Sequence, residues 1–131
     1  MPGLTVDQHI HNWLSAAQHD VDTALTLLDE GRAFNCLVFC HACMGKMLKG
    51  LWVATRREHP PRTTNVLLLA KKLGLGLGEE RLALLIDLAL FAQVAEWPEE
   101  TKVLRKGMKK AQAEEYYAHT EDLIRWLKEK F

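Results

Sequence analysis

Apolar residues recur along this chain at intervals of three and four, and no stretch alternates with period two for long enough to build a strand. The densest stretch, AFNCLVFCHACMGKMLKGLWVA from Ala33 to Ala54, is apolar almost all the way round a helical wheel, interrupted mainly by Asn35, His41, Lys46 and Lys49. A helix of that kind needs neighbours on nearly every side. At about 1.5 Å per residue it runs roughly 33 Å, and two lysines and a histidine in its middle argue against a membrane span. It is expected to be the central helix of a bundle, with a subunit seam as the competing use of its apolar circumference.

Upstream, Thr5-Val6-Asp7-Gln8 has the form of a capping box, and the helix it opens repeats apolar residues from Ile10 and Trp13 to Leu25 and Leu28. Gly31 ends that helix, and the short connection through Arg32 turns the chain back antiparallel. The central helix stops near Arg56, ahead of Pro60 and Pro61. Thr63 or Thr64 is expected to cap a short third helix, NVLLLAKKL, that ends at Gly74. The GLGLG segment at 74–78 has neither the preceding strand nor the following Lys-Ser or Lys-Thr of a phosphate loop, so it reads as a helix-to-helix turn. A fourth helix from Glu79 to about Ala95 is apolar on most of its surface, and its second half is expected to be covered. Pro98 marks a break, EETKVLRKGMKK reads as a loop or frayed turn, and a last helix carries Ala113, Tyr116, Thr120, Ile124 and Leu127 on one face. The expected architecture is one all-α domain over residues 1–131, an up-and-down helical bundle of about five helices, four long and one short.

A chain of 131 residues can bury a core without disulfide or metal. The three cysteines all fall in the central helix, where a four-residue spacing is poor geometry for a bridge, so they read as reduced thiols of a cytoplasmic protein. The opening MPGLTVDQ has no basic start or apolar run of a secretory leader. Cys36, Cys40 and Cys43 with His41 suggest a soft-metal site less well than they suggest core packing, because a structural zinc draws its ligands from more than one element. No metal and no cofactor is expected.

Charge changes the picture more than composition does. Net charge is zero, but Lys46, Lys49, Arg56, Arg57, Arg62, Lys71 and Lys72 lie in a stretch whose only acid is Glu58. Lys102, Arg105, Lys106, Lys109 and Lys110 fall in nine residues with no acid at all. If successive helices alternate in direction, the ends of the second and fourth share one pole, which gathers Arg56, Arg57, Arg62, Trp97 and the 102–110 run. Such a pole attracts phosphate, and Trp97 offers a stacking face; the competing reading is a set of solvated charged loops.

The order of elements resembles the minimal HEPN domain (higher eukaryotes and prokaryotes nucleotide-binding). The residues that carry the resemblance are Trp13 with Ala17 and Asp20, the turn at Gly31, the run FxxxxxACMGKMLKGLW, Pro-Pro-Arg-Thr-Thr-Asn before a short helix, and Trp97-Pro98. In that family a glutamate usually stands one residue before the first lysine of a Lys-x-x-Lys pair; here the lysines are Lys46 and Lys49, and the glutamate position is Gly45. A histidine usually follows the Pro-x-Thr element, where this chain has Thr64, and the usual Arg-Tyr-Pro is Glu96-Trp97-Pro98.

The resemblance implies a helical bundle that self-associates, commonly as a homodimer, and often pairs with a nucleotidyltransferase in toxin and antitoxin systems. Catalytic members are metal-independent ribonucleases with an arginine followed four to six residues later by a histidine, a pair needed to move the proton of the attacking 2′-hydroxyl and to steady the phosphate charge. No arginine here has a histidine at that distance, so no catalytic residue is assigned. The expected function is binding of nucleotide or RNA phosphates, with Lys46 and Lys49 from the central helix, Arg57, Arg62 and Lys106 from loops, and Trp97 beside them. A pure protein interaction module and a ribonuclease with a non-standard site are the alternatives.

Overall fold

The Thr5 hydroxyl accepts from the Gln8 N–H at 3.1 Å while the Gln8 side chain accepts from the Thr5 N–H at 2.8 Å, so both ends of the capping box are made. They open α1, Val6–Asp29. The computed structural model describes residues 3–131; Met1 and Pro2, the start of the segment read above for a leader, lie outside the described residues. Gly31 takes the left-handed conformation with φ 79°, and the Gly31 and Arg32 N–H groups donate back to Leu28 and Leu27, which closes α1 as a Schellman motif. The chain then reverses into α2, Ala33–Arg56.

The two helices approach closely at Gly50, where a Cβ would come within 3.1 Å of the Trp13 Cβ and 3.5 Å of the Phe131 ring. Half-way along the same seam the buried Asp20 carboxylate accepts from the Lys46 ammonium. Contacts from α1, α3, α4 and α6 cover α2 on all sides, and thirteen of its residues are buried. Its mean hydropathy of 1.3 over an 18-residue window would suit a membrane span by length and composition. Here those apolar positions form the core, and none of the large exposed hydrophobic side chains belongs to α2. The seam considered for this helix is therefore filled from within the chain.

The remaining helices are α3 (Val66–Lys72), α4 (Gly78–Val94), α5 (Pro98–Gly107) and α6 (Lys110–Lys128). Long helices α1, α2, α4 and α6 alternate in direction: Phe91 near the end of α4 meets Phe34 at the start of α2, with ring centroids 6.3 Å apart, and Tyr116 near the start of α6, at 5.4 Å. At the other end Arg81 of α4 stacks on Trp126 of α6.

Four expectations need correction. Among the described residues there are six helices rather than five, because Pro98 begins α5 instead of ending order: it occupies the first turn, where its missing N–H is no loss, with Glu99 and Glu100 in that turn and Arg105 and Lys106 in the last. Asn65, not Thr63 or Thr64, caps α3, accepting from the Leu68 N–H at 3.0 Å, while Thr63 accepts from the Asn65 N–H. The second half of α4 is covered only in part: Leu88 is buried and Phe91 packs against Phe34 and Tyr116, but Ile86 and Leu90 are exposed.

The fourth correction moves charge. Residues 57–65 run back along the bundle, so that Thr63, Thr64 and Asn65 lie by His41 at mid-α2, and Val66 lies against Gly45. Helix α3 then runs alongside α2 in the same direction, and Arg56 donates to the carbonyl of Lys72. Because this short helix consumes no full traverse of its own, α4 ends at the start of α2 and not at its end. The basic groups expected at one pole are divided between two.

Candidate functional site

The six residues expected to bind phosphate are not gathered in one place. Lys46 is engaged by Asp20, and Lys49 lies over the Trp13 ring at 5.5 Å. Burial, then the neighbouring Lys46 charge, lowers the pKa of Lys49. Both lysines therefore belong to the α1–α2 seam. Arg57 closes α2 at the far end in the left-handed region, φ 54°. Arg62 lies on the returning segment; at the opposite end from Arg57, Trp97 caps α5 and Lys106 lies in its last turn.

At that opposite end the structure assembles what the sequence left apart. Helix α2 starts at Arg32 without a side-chain cap, and a cleft of about 370 Å³ there is lined by Gly31, Arg32, Ala33, Phe34, Asn35 and Arg105. The first turn of a long helix and two arginines thus line one cleft, a composition that suits an anion. Thr101 fixes α5 to α4 by donating to the Val94 carbonyl at 3.0 Å. The Phe34–Phe91 contact sets the end of α4 against the start of α2. Lys106, Lys109 and Lys110 continue the positive surface into α6, while Trp97 at the start of α5 is 60% exposed. The acids Glu99 and Glu100 stand at the Trp97 end of α5, away from Arg105. Sequence reading missed the pairing of Arg32 with Arg105, seventy-three positions apart; the available signal was an uncapped turn ahead of a long apolar helix.

A second cleft, of about 580 Å³, separates the returning segment from the C-terminal half of α4. Its apolar floor comes from Leu67, Ile86, Ala89 and Leu90, and its polar rim from Thr63, Thr64, Asn65, Gln93 and Glu96. His41, which the cysteine-centred reading of α2 set aside, also lines it. Burial lowers the pKa of this imidazole, which favours its neutral form.

The other chemistry-bearing side chains are held by packing. Cys36, Cys40 and Cys43 are free and fully buried. The hydrogen bond with Cys40, then burial, keeps the Cys36 thiol protonated, and burial pushes the Cys43 thiol up to about 12. The Tyr116 hydroxyl donates to Asp87 at 2.8 Å, and burial followed by that bond pushes its pKa up to about 12. Thr120, also buried, donates to the Tyr116 carbonyl. His59, far from Arg105, packs edge-on to His9 with centroids 5.2 Å apart.

No curated protein and no solved structure matches the chain. The family model described as HEPN domain matches residues 10–130, from the first turns of α1 through the whole of α6. With nearly the entire bundle inside that match, the chain belongs to the HEPN family.

Proposed function

We propose that this HEPN domain is a non-catalytic module that binds the phosphates of RNA or a nucleotide at the α2–α5–α6 end and pairs with a second copy of itself. The observation that carries the binding is the cleft that Arg32 and Arg105 share at the uncapped start of α2, with Lys106 next along α5 and Lys109 and Lys110 opening α6, while the exposed Trp97 stands at the start of α5. Phosphates along this edge leave bases free to stack on Trp97. The domain works in the reducing cytoplasm, in keeping with its three free thiols. A nucleotidyltransferase, the usual companion of HEPN modules in toxin and antitoxin pairs, is the proposed partner protein.

Filter binding of a short single-stranded RNA at low and high salt tests the phosphate site. Arg105→Glu and Lys106→Glu each weaken binding about tenfold and flatten the salt dependence, the slope falling by about 1 for each phosphate that is no longer neutralised. RNA binding that ignores both substitutions, or that is indifferent to salt, removes the basis of the reading.

Self-association is supported by the uncovered Leu82 and Ile86 on α4, one turn apart. An apolar groove of about 600 Å³ between α3 and α4 runs beside them. Two copies meeting groove to groove about a two-fold axis bury Leu75, Leu77 and Leu82, none of which lines the His41 cleft. Leu82→Lys sets a charge in that interface and weakens dimerisation by at least about tenfold. Sedimentation of the wild-type protein as a monomer at all concentrations contradicts the pairing.

A further inference from the structure

The cleft beside His41 plays no part in holding phosphate. Among the described residues no lysine or arginine lines it, and Glu96 stands on its rim, so an anion entering would meet a carboxylate. What its polar side chains have left to offer follows from the bonds they already make. Asn65 uses its carbonyl oxygen to cap α3 and keeps its amide NH₂ for another acceptor. Thr63 accepts from the Asn65 N–H and keeps its hydroxyl proton. Gln93 and Glu96 make no side-chain hydrogen bond among the described residues, which leaves an amide and a carboxylate free. The half-buried imidazole at the base adds one donor and one acceptor in its neutral form.

This combination fits a flat, uncharged group with apolar faces and an edge that alternates donors and acceptors. A cleft of about 580 Å³ falls within the size of small-molecule sites. Its position narrows the choice, because the cleft ends at Glu96, next to the exposed Trp97, the stacking face of the proposed strand site. We infer that the His41 cleft receives one unstacked nucleobase of a bound strand, read along its hydrogen-bonding edge by Asn65, Gln93 and Glu96. The inference deepens the phosphate-binding proposal and rests on it for the strand that delivers the base. Splayed-out bases recognised on their edges are the usual way in which single-stranded RNA is read.

The test uses the intact protein and probes without phosphate. Isotope-labelled protein is titrated with each of the four ribonucleosides, and with ribose 5-phosphate as a control that lacks a base. One or more nucleosides shift the His41 ring and Gln93 side-chain signals, equally at low and high salt, while ribose 5-phosphate leaves them in place. Gln93→Ala and Glu96→Ala, both at exposed positions, weaken that binding about tenfold each and leave helix content unchanged. Nucleosides that never move His41, or ribose 5-phosphate that moves it as strongly, overturn the inference. If that happens while RNA binding stays salt-dependent, the phosphate proposal survives alone; nucleosides seated at His41 with RNA binding indifferent to salt support the cleft and overturn the phosphate proposal.

Discussion

Trp52→Ala lowers the unfolding free energy by about 3–5 kcal/mol, and by the same amount at every protein concentration. The side chain is 4% exposed and is packed within one chain, with the Arg56 guanidinium lying 4.0 Å over its ring. Truncation leaves a cavity against α2's neighbours and removes the cation–π contact. One term works the other way: the buried indole Nε1 has no hydrogen-bond partner among the described residues, so its removal relieves an unsatisfied donor. The loss therefore falls toward the lower end of that range. Urea unfolding followed by circular dichroism, at two concentrations differing by about tenfold, measures it by its linear dependence on denaturant. A loss of helicity that recovers on concentrating the protein would place Trp52 in a subunit seam and contradict the packing described.

The second large effect is expected at Lys46. Lys46→Met leaves the Asp20 carboxylate, 7% exposed, without the ammonium that faces it. An unpaired buried charge costs several kcal/mol, but the Lys46 side chain is 35% exposed and water screens the pair, so the expected loss is about 2 kcal/mol. Adding Asp20→Asn to Lys46→Met recovers most of it, because the uncompensated charge is then gone. Denaturant titrations of the two single variants and the double variant give the coupling directly. Additive losses in the double variant would show that the two groups do not stabilise each other. The same variant separates structure from binding: Lys46→Met leaves salt-dependent RNA affinity unchanged, since its charge is committed to Asp20.

The four long helices were legible because each carries its own periodicity, cap or stop, as the capping box at Thr5 and the turn at Gly31 illustrate. Those signals are local, and the structure makes them with the residues expected. Helix α5 was missed because Pro98 has two meanings, breaking a helix in the interior and starting one in the first turn. The acids after it and the bases near Gly107 are the charge order of a helix. The site was far less legible, since it depends on which ends meet. Counting α3 as a full arm of the bundle sends the end of α4 to Arg57, whereas the returning segment 57–65 sends it to Arg32. Lys46 shows the same limit at the scale of one side chain: its spacing from Lys49 suggested a shared ligand, but Asp20, twenty-six residues away, already occupies it.

The three thiols give the bundle a clock. Cys36, Cys40 and Cys43 have no accessible surface, and they lie on the one helix that every other long helix covers. A bulky alkylating reagent reaches them only when neighbouring helices lift away from α2, so the pace of modification counts those excursions rather than the reactivity of the sulfur atoms.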